Sequence, residues 1–225
     1  MLFRSSHKII LTVLACLLLI AGSLYYGLHP VTEEDKEVNP TDTGTALQNG
    51  DIIFQTSLSA QSKAIQLATK SKYSHMGMLY KEGEEWFVYE AVQPVKKTPL
   101  TKWIARGEDG HYVIKRLEKS QEVLTPEVLN KMKEAGEKYN GKDYDIYFGW
   151  SDDKIYCSEL VWKIYKEATG IEVGKLQTLK DFDLTYPEVQ QKMKERYGNT
   201  LPENEMVISP AAMFDSEVLV TVVEE

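Results

Sequence analysis

Three residues far apart in the chain, His75, Glu90 and Cys157, are of the types that together form a cysteine nucleophile with its base and an orienting carboxylate. The sequence has one other cysteine, Cys16, which lies inside a hydrophobic leader. Cys157 stands at the start of a predicted helix over residues 157–168, where the positive helix end stabilises a thiolate. This combination predicts a cysteine hydrolase.

The histidine and the carboxylate are expected to meet across a β-hairpin. Strands are predicted over residues 74–80 and 86–91, and a two-residue turn at residues 82–83 pairs His75 with Glu90. Directly opposed side chains have Cβ atoms about 4.5–5.5 Å apart. Glu90 would then hold one imidazole nitrogen and direct the other toward a thiol. A slip of one residue in the register would break this pairing.

Neighbouring residues are candidates for substrate contact. Tyr73 and Tyr156 each flank one of the three residues, and their hydroxyls could bind substrate or simply pack. Gly77 is expected on the same face, where a missing side chain permits close backbone approach. The backbone N–H of Cys157 is the predicted first oxyanion donor, and the sequence indicates no second donor.

The sequence predicts neither a metal site nor a cofactor. The second histidine after the leader, His111, follows a solvent-facing turn and is the poorer candidate for catalysis. One cysteine and two histidines far apart in sequence do not have metal-site spacing.

Several stretches of the chain resemble the YiiX/YebB-like family of circularly permuted, NlpC-type papain-fold hydrolases. The resemblance runs over residues 48–215 and is carried by GDIIFQTSLSAQSKAIQLAT, KYSHMGMLY, YEAVQPVKKTPL, YDIYFGWSDDKIYCSELVWKIY and VISPAAMFD. It implies a permuted papain-like fold with a Cys-His-Glu site at Cys157, His75 and Glu90. In such an order the histidine precedes the cysteine.

The pattern of elements that would position these residues is α+β, with an antiparallel sheet or small barrel packed on helices. Strands are predicted over residues 52–54, 74–80, 86–91, 112–117 and 218–223. Helices are predicted over residues 59–71, 100–105, 157–168 and 188–197, after Thr125-Pro126, and after Ser209.

The N-terminus predicts export. Arg4 and Lys8 precede an uncharged run over residues 9–28 that is long enough to span a bilayer, and acidic residues follow it. Residues 1–28 are therefore expected to be a membrane anchor or a signal peptide. The run length favours the anchor, although small residues at 21–23 offer a cleavage site. The body would lie outside the cytoplasm, in the periplasm or at the cell surface.

The rest of the chain divides into a flexible linker over residues 29–46 and a hydrolase domain over residues 47–225. The formal net charge of −8 argues against nucleic-acid binding.

The function predicted from these features is hydrolysis of an amide bond in a peptide or a cell-wall peptide. Two alternatives stay open: a lipid-directed thioesterase or acyltransferase acting on a lipid ester, and a non-catalytic module that binds amines or peptides. An apolar groove beside Cys157 would favour a lipid, whereas acidic and polar walls would favour peptides with free amines.

Overall fold

The structure is a computed structural model, and residues 46–225 of it are described here. The predicted leader over residues 1–28 and the predicted linker up to residue 45 lie outside the described residues. Within residues 46–225, no helix combines the length and the apolarity needed to cross a bilayer.

A six-stranded antiparallel sheet forms the centre of the domain. Its strands lie in the order β4-β3-β2-β1-β5-β8, and the sheet is open. They are β1 (Ile52–Gln55), β2 (His75–Glu82), β3 (Glu85–Glu90), β4 (Lys96–Pro99), β5 (Val113–Leu117) and β8 (Leu219–Glu224). Two short strands, β6 (Gln177–Thr178) and β7 (Met206–Val207), form a separate pair. The edge strand β4 exposes Lys96 and Lys97 and ends at Pro99.

Seven α-helices and two short 3-10 helices, Glu108–Gly110 and Leu179–Asp181, accompany the strands in the described part of the chain; the α-helices are numbered in chain order. They are α1 (Ser62–Thr69), α2 (Leu100–Ile104), α3 (Ser120–Val123), α4 (Pro126–Glu137), α5 (Cys157–Thr169), α6 (Pro187–Tyr197) and α7 (Pro210–Phe214). Two of the starts have the caps that the sequence predicts. The Thr125 side chain accepts a hydrogen bond from the N–H of Val128, and Ser209 accepts one from Ala212.

The sheet is buried on both faces because its central strands are apolar over most of their length. Ile52 and Phe54 pack on one face in a cluster that includes residues of α4 and α5. The alternating residue Ile53 packs on the other face with Trp103 of α2. The two clusters hold β2 and β3 rigidly between helices.

The predicted fold class is confirmed: the domain is α+β, and its antiparallel sheet is open rather than closed into a barrel. The helix predicted over residues 157–168 is α5, and the predicted hairpin is β2 and β3. The prediction missed β4, α3 and the β6–β7 pair.

The predicted hairpin register is wrong by two residues. Glu82 pairs with Glu85, so the turn begins one residue later than predicted, at Gly83. Gly83 has a φ of 61°, and a type II′ turn requires such a positive φ at its first central position. Because side chains alternate with a period of two, the shift keeps His75 and Glu90 on the same face of the hairpin.

Candidate active site

Cys157 is the first residue of α5, and its side chain is buried. The residues on either side anchor this helix start to one backbone position. Ser158 Oγ donates a hydrogen bond to the carbonyl oxygen of Ile208 at 2.7 Å, and the Ile208 N–H donates to the Tyr156 hydroxyl at 3.1 Å. The first N–H groups of a helix have no intrahelical acceptor, so those near Cys157 form a positive pole at its sulfur.

His75 and Glu90 form a buried pair. The imidazole Nε2 lies 2.7 Å from Glu90 Oε2. Burial disfavours the charged carboxylate, but the hydrogen bond and positive charge of His75, with further help from Thr98 and Arg106, lower the pKa of Glu90 to about 2. An ionised carboxylate only accepts hydrogen bonds, so Nε2 is the donor. The ring is thereby fixed in one orientation.

Glu90 accepts four hydrogen bonds in all. Besides His75, the indole of Trp103 donates to Oε2 at 3.0 Å, and Thr98 and Arg106 donate to Oε1 at 2.6 and 2.5 Å. The Trp103 ring also lies beside the imidazole, with 5.8 Å between ring centroids. Every oxygen of this fully buried carboxylate is therefore satisfied, which is what makes its charge tolerable in the interior.

The second ring nitrogen of His75 is left for Cys157. Nε2 is held by Glu90, so Nδ1 is the atom that can interact with the Cys157 sulfur. Burial alone would lower the pKa of His75, but the hydrogen bonds and the negative charges of Cys157 and Glu90 raise it to about 9. At neutral pH the ring is therefore an imidazolium that faces the sulfur.

Tyr144 completes the polar surroundings of the sulfur, and sequence reasoning missed it. Its hydroxyl accepts a hydrogen bond from Gln61 Nε2 at 3.1 Å. Burial and then the charge of Cys157 raise the pKa of Tyr144 well above its usual value, so the hydroxyl keeps its proton. A parallel β-bridge between Tyr144 and Ile155 brings it beside the helix start.

The loop that carries Tyr144 is held by its neighbour Asp145. This buried carboxylate accepts hydrogen bonds from the N–H groups of Tyr147 and Gly149, each at 2.8 Å. The Asp145 N–H itself donates to the Ile155 carbonyl at 3.1 Å. The loop therefore has a defined shape next to α5, although no regular element contains it.

The sequence matches a protein family described as permuted papain-like amidase enzymes, YaeF/YiiX, C92 family, over residues 46–223. The chain belongs to the permuted papain-like amidase family. It is 54% identical to the YiiX protein of Escherichia coli (strain K12) over 178 residues, which is 79% of this chain and 87% of that protein. The resemblance inferred from the sequence is thus confirmed.

A solved structure shares this fold. The YiiX protein of Escherichia coli O157:H7, described as a metalloprotein, superposes with a TM-score of 0.75 and 54% identity, covering 79% of this chain and 97% of the other. Within residues 46–225 of this amidase-family chain, no group of three or more His, Cys, Asp or Glu side chains is arranged to hold a metal ion.

The predicted substrate-contact residues of this permuted papain-like amidase have different surroundings. The Tyr156 ring lies edge-on to Phe148 in the wall of a cavity beside Cys157. Tyr73 is buried and stacks on Phe214 at 4.2 Å between centroids, away from that cavity.

Gly77 lies between two strands, where close packing requires a glycine. A Cβ atom there would come within 2.4 Å of Val88 Cγ1 and 2.8 Å of the Tyr89 carbonyl oxygen. His111 lies away from the three residues, and its Nε2 is 3.1 Å from Lys72 Nζ.

Another buried carboxylate, Glu159, lies two residues after Cys157. Its Oε1 is 2.8 Å from Lys163 Nζ, and its Oε2 accepts a long hydrogen bond from the N–H of Tyr156 at 3.4 Å. Burial raises the pKa of Glu159 to about 7, despite the opposing effect of Lys163. The start of α5 thus carries a group with a pKa near neutrality.

Proposed function

We propose that this protein is a cysteine amidase in which Cys157, His75 and Glu90 act as nucleophile, general acid–base and orienting carboxylate. The observation that carries the proposal is the buried hydrogen bond of 2.7 Å between His75 and Glu90, with the imidazole close enough to Cys157 at the start of α5 for that group to raise the pKa of His75. Membership of a permuted papain-like amidase family supports the same reaction class.

The reaction proceeds through a thioester. Cys157 Sγ bonds to the carbonyl carbon of the amide, and the π electrons move to the oxygen. When the C–N bond breaks, His75 gives its proton to the leaving amine nitrogen, and an acyl thioester remains on Cys157. Water then attacks this thioester as His75 takes its proton. The C–S bond breaks, which releases the carboxylic acid and restores the thiolate.

The protonation state of the resting site suits the first step. An imidazole with a pKa of about 9 is charged at neutral pH, so it holds the proton that the amine needs and stabilises the thiolate. The ionised Glu90 balances this charge and prevents rotation of the ring. Arg106 and Thr98 in turn hold Glu90.

We assign two donors to the oxyanion of the tetrahedral intermediates. The backbone N–H of Cys157 belongs to the first turn of α5, where helix geometry leaves it without an intrahelical acceptor. The Tyr144 hydroxyl, which keeps its proton, is the second. We assign it the role of the donor that the sequence did not indicate.

Selective alkylation tests the nucleophile. In a full-length Cys16→Ser background only Cys157 can react, and its iodoacetamide labelling at pH 7 should be at least tenfold faster than that of a free thiol. His75→Ala should abolish this excess, while His111→Ala, a matched change of a distant histidine, should leave it intact. Equal reactivity of Cys157 and a free thiol would refute the assignment of Cys157 as the nucleophile.

A turnover assay distinguishes the proposed amidase from a non-catalytic module that binds amines or peptides. Incubation with a library of acyl amides should release amine and leave a transient acyl adduct on Cys157, detected by mass spectrometry. Cys157→Ala should abolish both signals. A reactive thiol that binds amides without releasing amine would support the non-catalytic alternative, and cleavage of esters and thioesters alone would support the lipid-directed esterase.

A further inference from the structure

Three side chains form a series of hydrogen bonds that runs from α6 to the hydroxyl of Tyr144. Arg196 Nη2 donates to Gln61 Oε1 at 2.7 Å, and Gln61 Nε2 donates to the Tyr144 hydroxyl oxygen at 3.1 Å. Arg196 belongs to the last turn of α6, and Gln61 is the residue before α1. This series, the donor chain, therefore joins two helices to the loop that carries the proposed oxyanion donor.

The direction of both hydrogen bonds in the donor chain is fixed by the groups that form them. A guanidinium has donors only, so the Gln61 atom that faces Arg196 must be the carbonyl oxygen, and the amide nitrogen then faces Tyr144. Because that nitrogen only donates, the Tyr144 oxygen is the acceptor. The hydroxyl proton of Tyr144 is thus left free to point away from Gln61. Tyr144 and Cys157 line the same cavity, so a negative charge formed near the sulfur can accept this proton in a hydrogen bond.

Arg196 differs from the other two arginines of residues 46–225 in how its charge is balanced. Arg106 and Arg116 each form an ion pair with a buried carboxylate. Arg196 forms no ion pair with a carboxylate among the described residues, and its guanidinium lies over the Phe148 ring, 4.7 Å from the centroid. Burial lowers the pKa of Arg196, but a guanidinium still keeps its proton at neutral pH. Its positive charge is therefore free to act on the donor chain.

The charges around Tyr144 favour proton donation by its hydroxyl. Burial and the charge of Cys157 raise the pKa of Tyr144, while the hydrogen bond from Gln61 and the charge of Arg196 act in the opposite direction. Hydrogen bonds that run in one direction polarise one another, so a phenol whose oxygen accepts from such a series becomes a stronger donor itself. The cation at the far end of the donor chain strengthens this effect.

We propose that Arg196 is a positioning residue for the reaction: acting through Gln61, it directs the Tyr144 proton to the oxyanion and strengthens that hydrogen bond. The proposal rests on the amidase function and on the assignment of Tyr144 made above, and it adds a residue that does not touch the reacting atoms. No proton moves along the donor chain, and its two hydrogen bonds keep their direction throughout the reaction.

A double-mutant cycle tests whether Arg196 acts through Tyr144. The substrate is an acyl amide that the full-length wild type turns over in the library assay. Arg196→Met should lower kcat about tenfold, as expected for the loss of one hydrogen bond, and leave KM nearly unchanged. In a Tyr144→Phe background the same substitution should change kcat less than about twofold. Lys194→Met, at an exposed cation of the same helix, should have wild-type kcat. An equal loss in both backgrounds, or a rise in KM alone, would overturn the proposal.

An isosteric substitution reverses the donor chain. In Gln61→Glu the carboxylate accepts from Arg196 and from Tyr144, so the Tyr144 proton is drawn away from the sulfur. The value of kcat should then fall as far as in Tyr144→Phe, about 10²–10³-fold. Gln190→Glu, the same change of charge at an exposed residue of α6, should have wild-type kcat. A folded Gln61→Glu protein with wild-type kcat would refute the proposal even if Arg196→Met fails to fold.

A measurement on the resting protein separates this proposal from the proposed function. Difluorotyrosine incorporated in place of Tyr144 has a more acidic phenol, whose titration is followed by fluorine NMR. Arg196→Met should raise the pKa of this phenol, because the guanidinium acts to lower it, and Lys194→Met should not. An unchanged pKa together with normal amide turnover would defeat the role of Arg196 and leave the amidase standing. A raised pKa in a protein whose wild type turns over no amide would uphold the coupling of Arg196 to Tyr144 and defeat the amidase function instead.

Discussion

At the scale of single residues, the main feature is a buried, ionised carboxylate whose two oxygens both accept hydrogen bonds. Glu90 is completely buried, but it accepts bonds from His75, Trp103, Thr98 and Arg106. The sequence predicts that His75 and Glu90 lie close together because both belong to one hairpin. It does not predict that Trp103 and Arg106 contact Glu90, since nothing in the sequence shows that α2 and the turn after it fold back over this carboxylate.

The pH dependence of turnover should reflect the loss of the proton from His75 at alkaline pH. Because His75 protonates the leaving amine and has a pKa of about 9, kcat/KM should fall as the pH rises through about 9. Glu90→Gln removes the negative charge that raises this pKa, so the alkaline limb should move to lower pH and activity should decline. Glu85→Gln, an exposed change on the same strand, serves as the control. An alkaline limb unchanged in Glu90→Gln would show that another group orients the imidazole.

Acid stability should report on Glu90. Its pKa is lowered to about 2 in the folded protein, so its stabilising contribution is present above the unfolded value of 4.5 and is lost as the pH falls from there toward 2. Urea denaturation of the wild type should show a drop of a few kcal/mol in unfolding free energy over this range. The drop in unfolding free energy should be smaller in Glu90→Gln than in Glu85→Gln. Equal drops in the two variants would contradict the conclusion that the buried Glu90 carboxylate is ionised.

Tyr144→Phe tests the second oxyanion donor. Removal of one such donor costs about 10²–10³-fold in kcat, while substrate binding changes little, because the oxyanion exists only after attack. Tyr147→Phe, three residues away and partly exposed, should have near wild-type kcat. A Tyr144→Phe protein that loses its affinity for substrate but keeps its kcat would give the hydroxyl a binding role instead.

At the scale of elements, the sequence predicts helices and apolar strands better than it predicts their alignment. Helix α5 has strong amphipathic spacing and a clear glycine end at Gly170, so its bounds are close to those expected. The register of the β2–β3 hairpin depended on which turn residue would take the positive φ, and Gly83 took it at the first position rather than the second.

Strand β4 and the loop of Tyr144 could not be predicted for a different reason. Lys-Lys-Thr-Pro has no apolar alternation, and it becomes a strand only because β3 offers it an open edge. Tyr144 reaches Cys157 through a single β-bridge and the hydrogen bonds of Asp145. Contacts of this kind arise from tertiary structure and leave no periodic signal in the sequence.

Gly77→Ala tests how tightly the hairpin is packed. The added Cβ would meet Val88 and the Tyr89 backbone at distances no real contact tolerates, so the unfolding free energy should fall by about 3 kcal/mol. Gly83→Ala is the matched change in the same hairpin: its Cβ meets nothing, and only the positive φ costs about 1 kcal/mol. Comparable thermal midpoints for the two variants would show that β2 and β3 can move apart.

At the scale of the whole molecule, the predicted leader over residues 1–28 lies outside the described residues. From its charge asymmetry we propose that the domain is exported and tethered through residues 9–28. Reporters active only outside or only inside the cytoplasm, fused after Glu225, should give signal only outside. A reversal of the signal by Arg4→Glu with Lys8→Glu would confirm the charge rule as the cause, while a cytoplasmic signal from the unaltered chain would refute export.

The edge position of β4 has a consequence for how copies of this protein meet one another in a crowded compartment. An open sheet offers unpaired backbone groups to any passing strand, and such edges seed aggregation. One of the two outer strands, β4, is four residues long, exposes Lys96 and Lys97, and ends at Pro99, which has no N–H to share. A second copy approaching this edge would bring its own Lys96 ammonium against that of the first, while Lys97 pairs with Glu82 of its own chain. The strand that helps to hold Glu90 therefore also disfavours strand pairing between copies at this edge of the sheet.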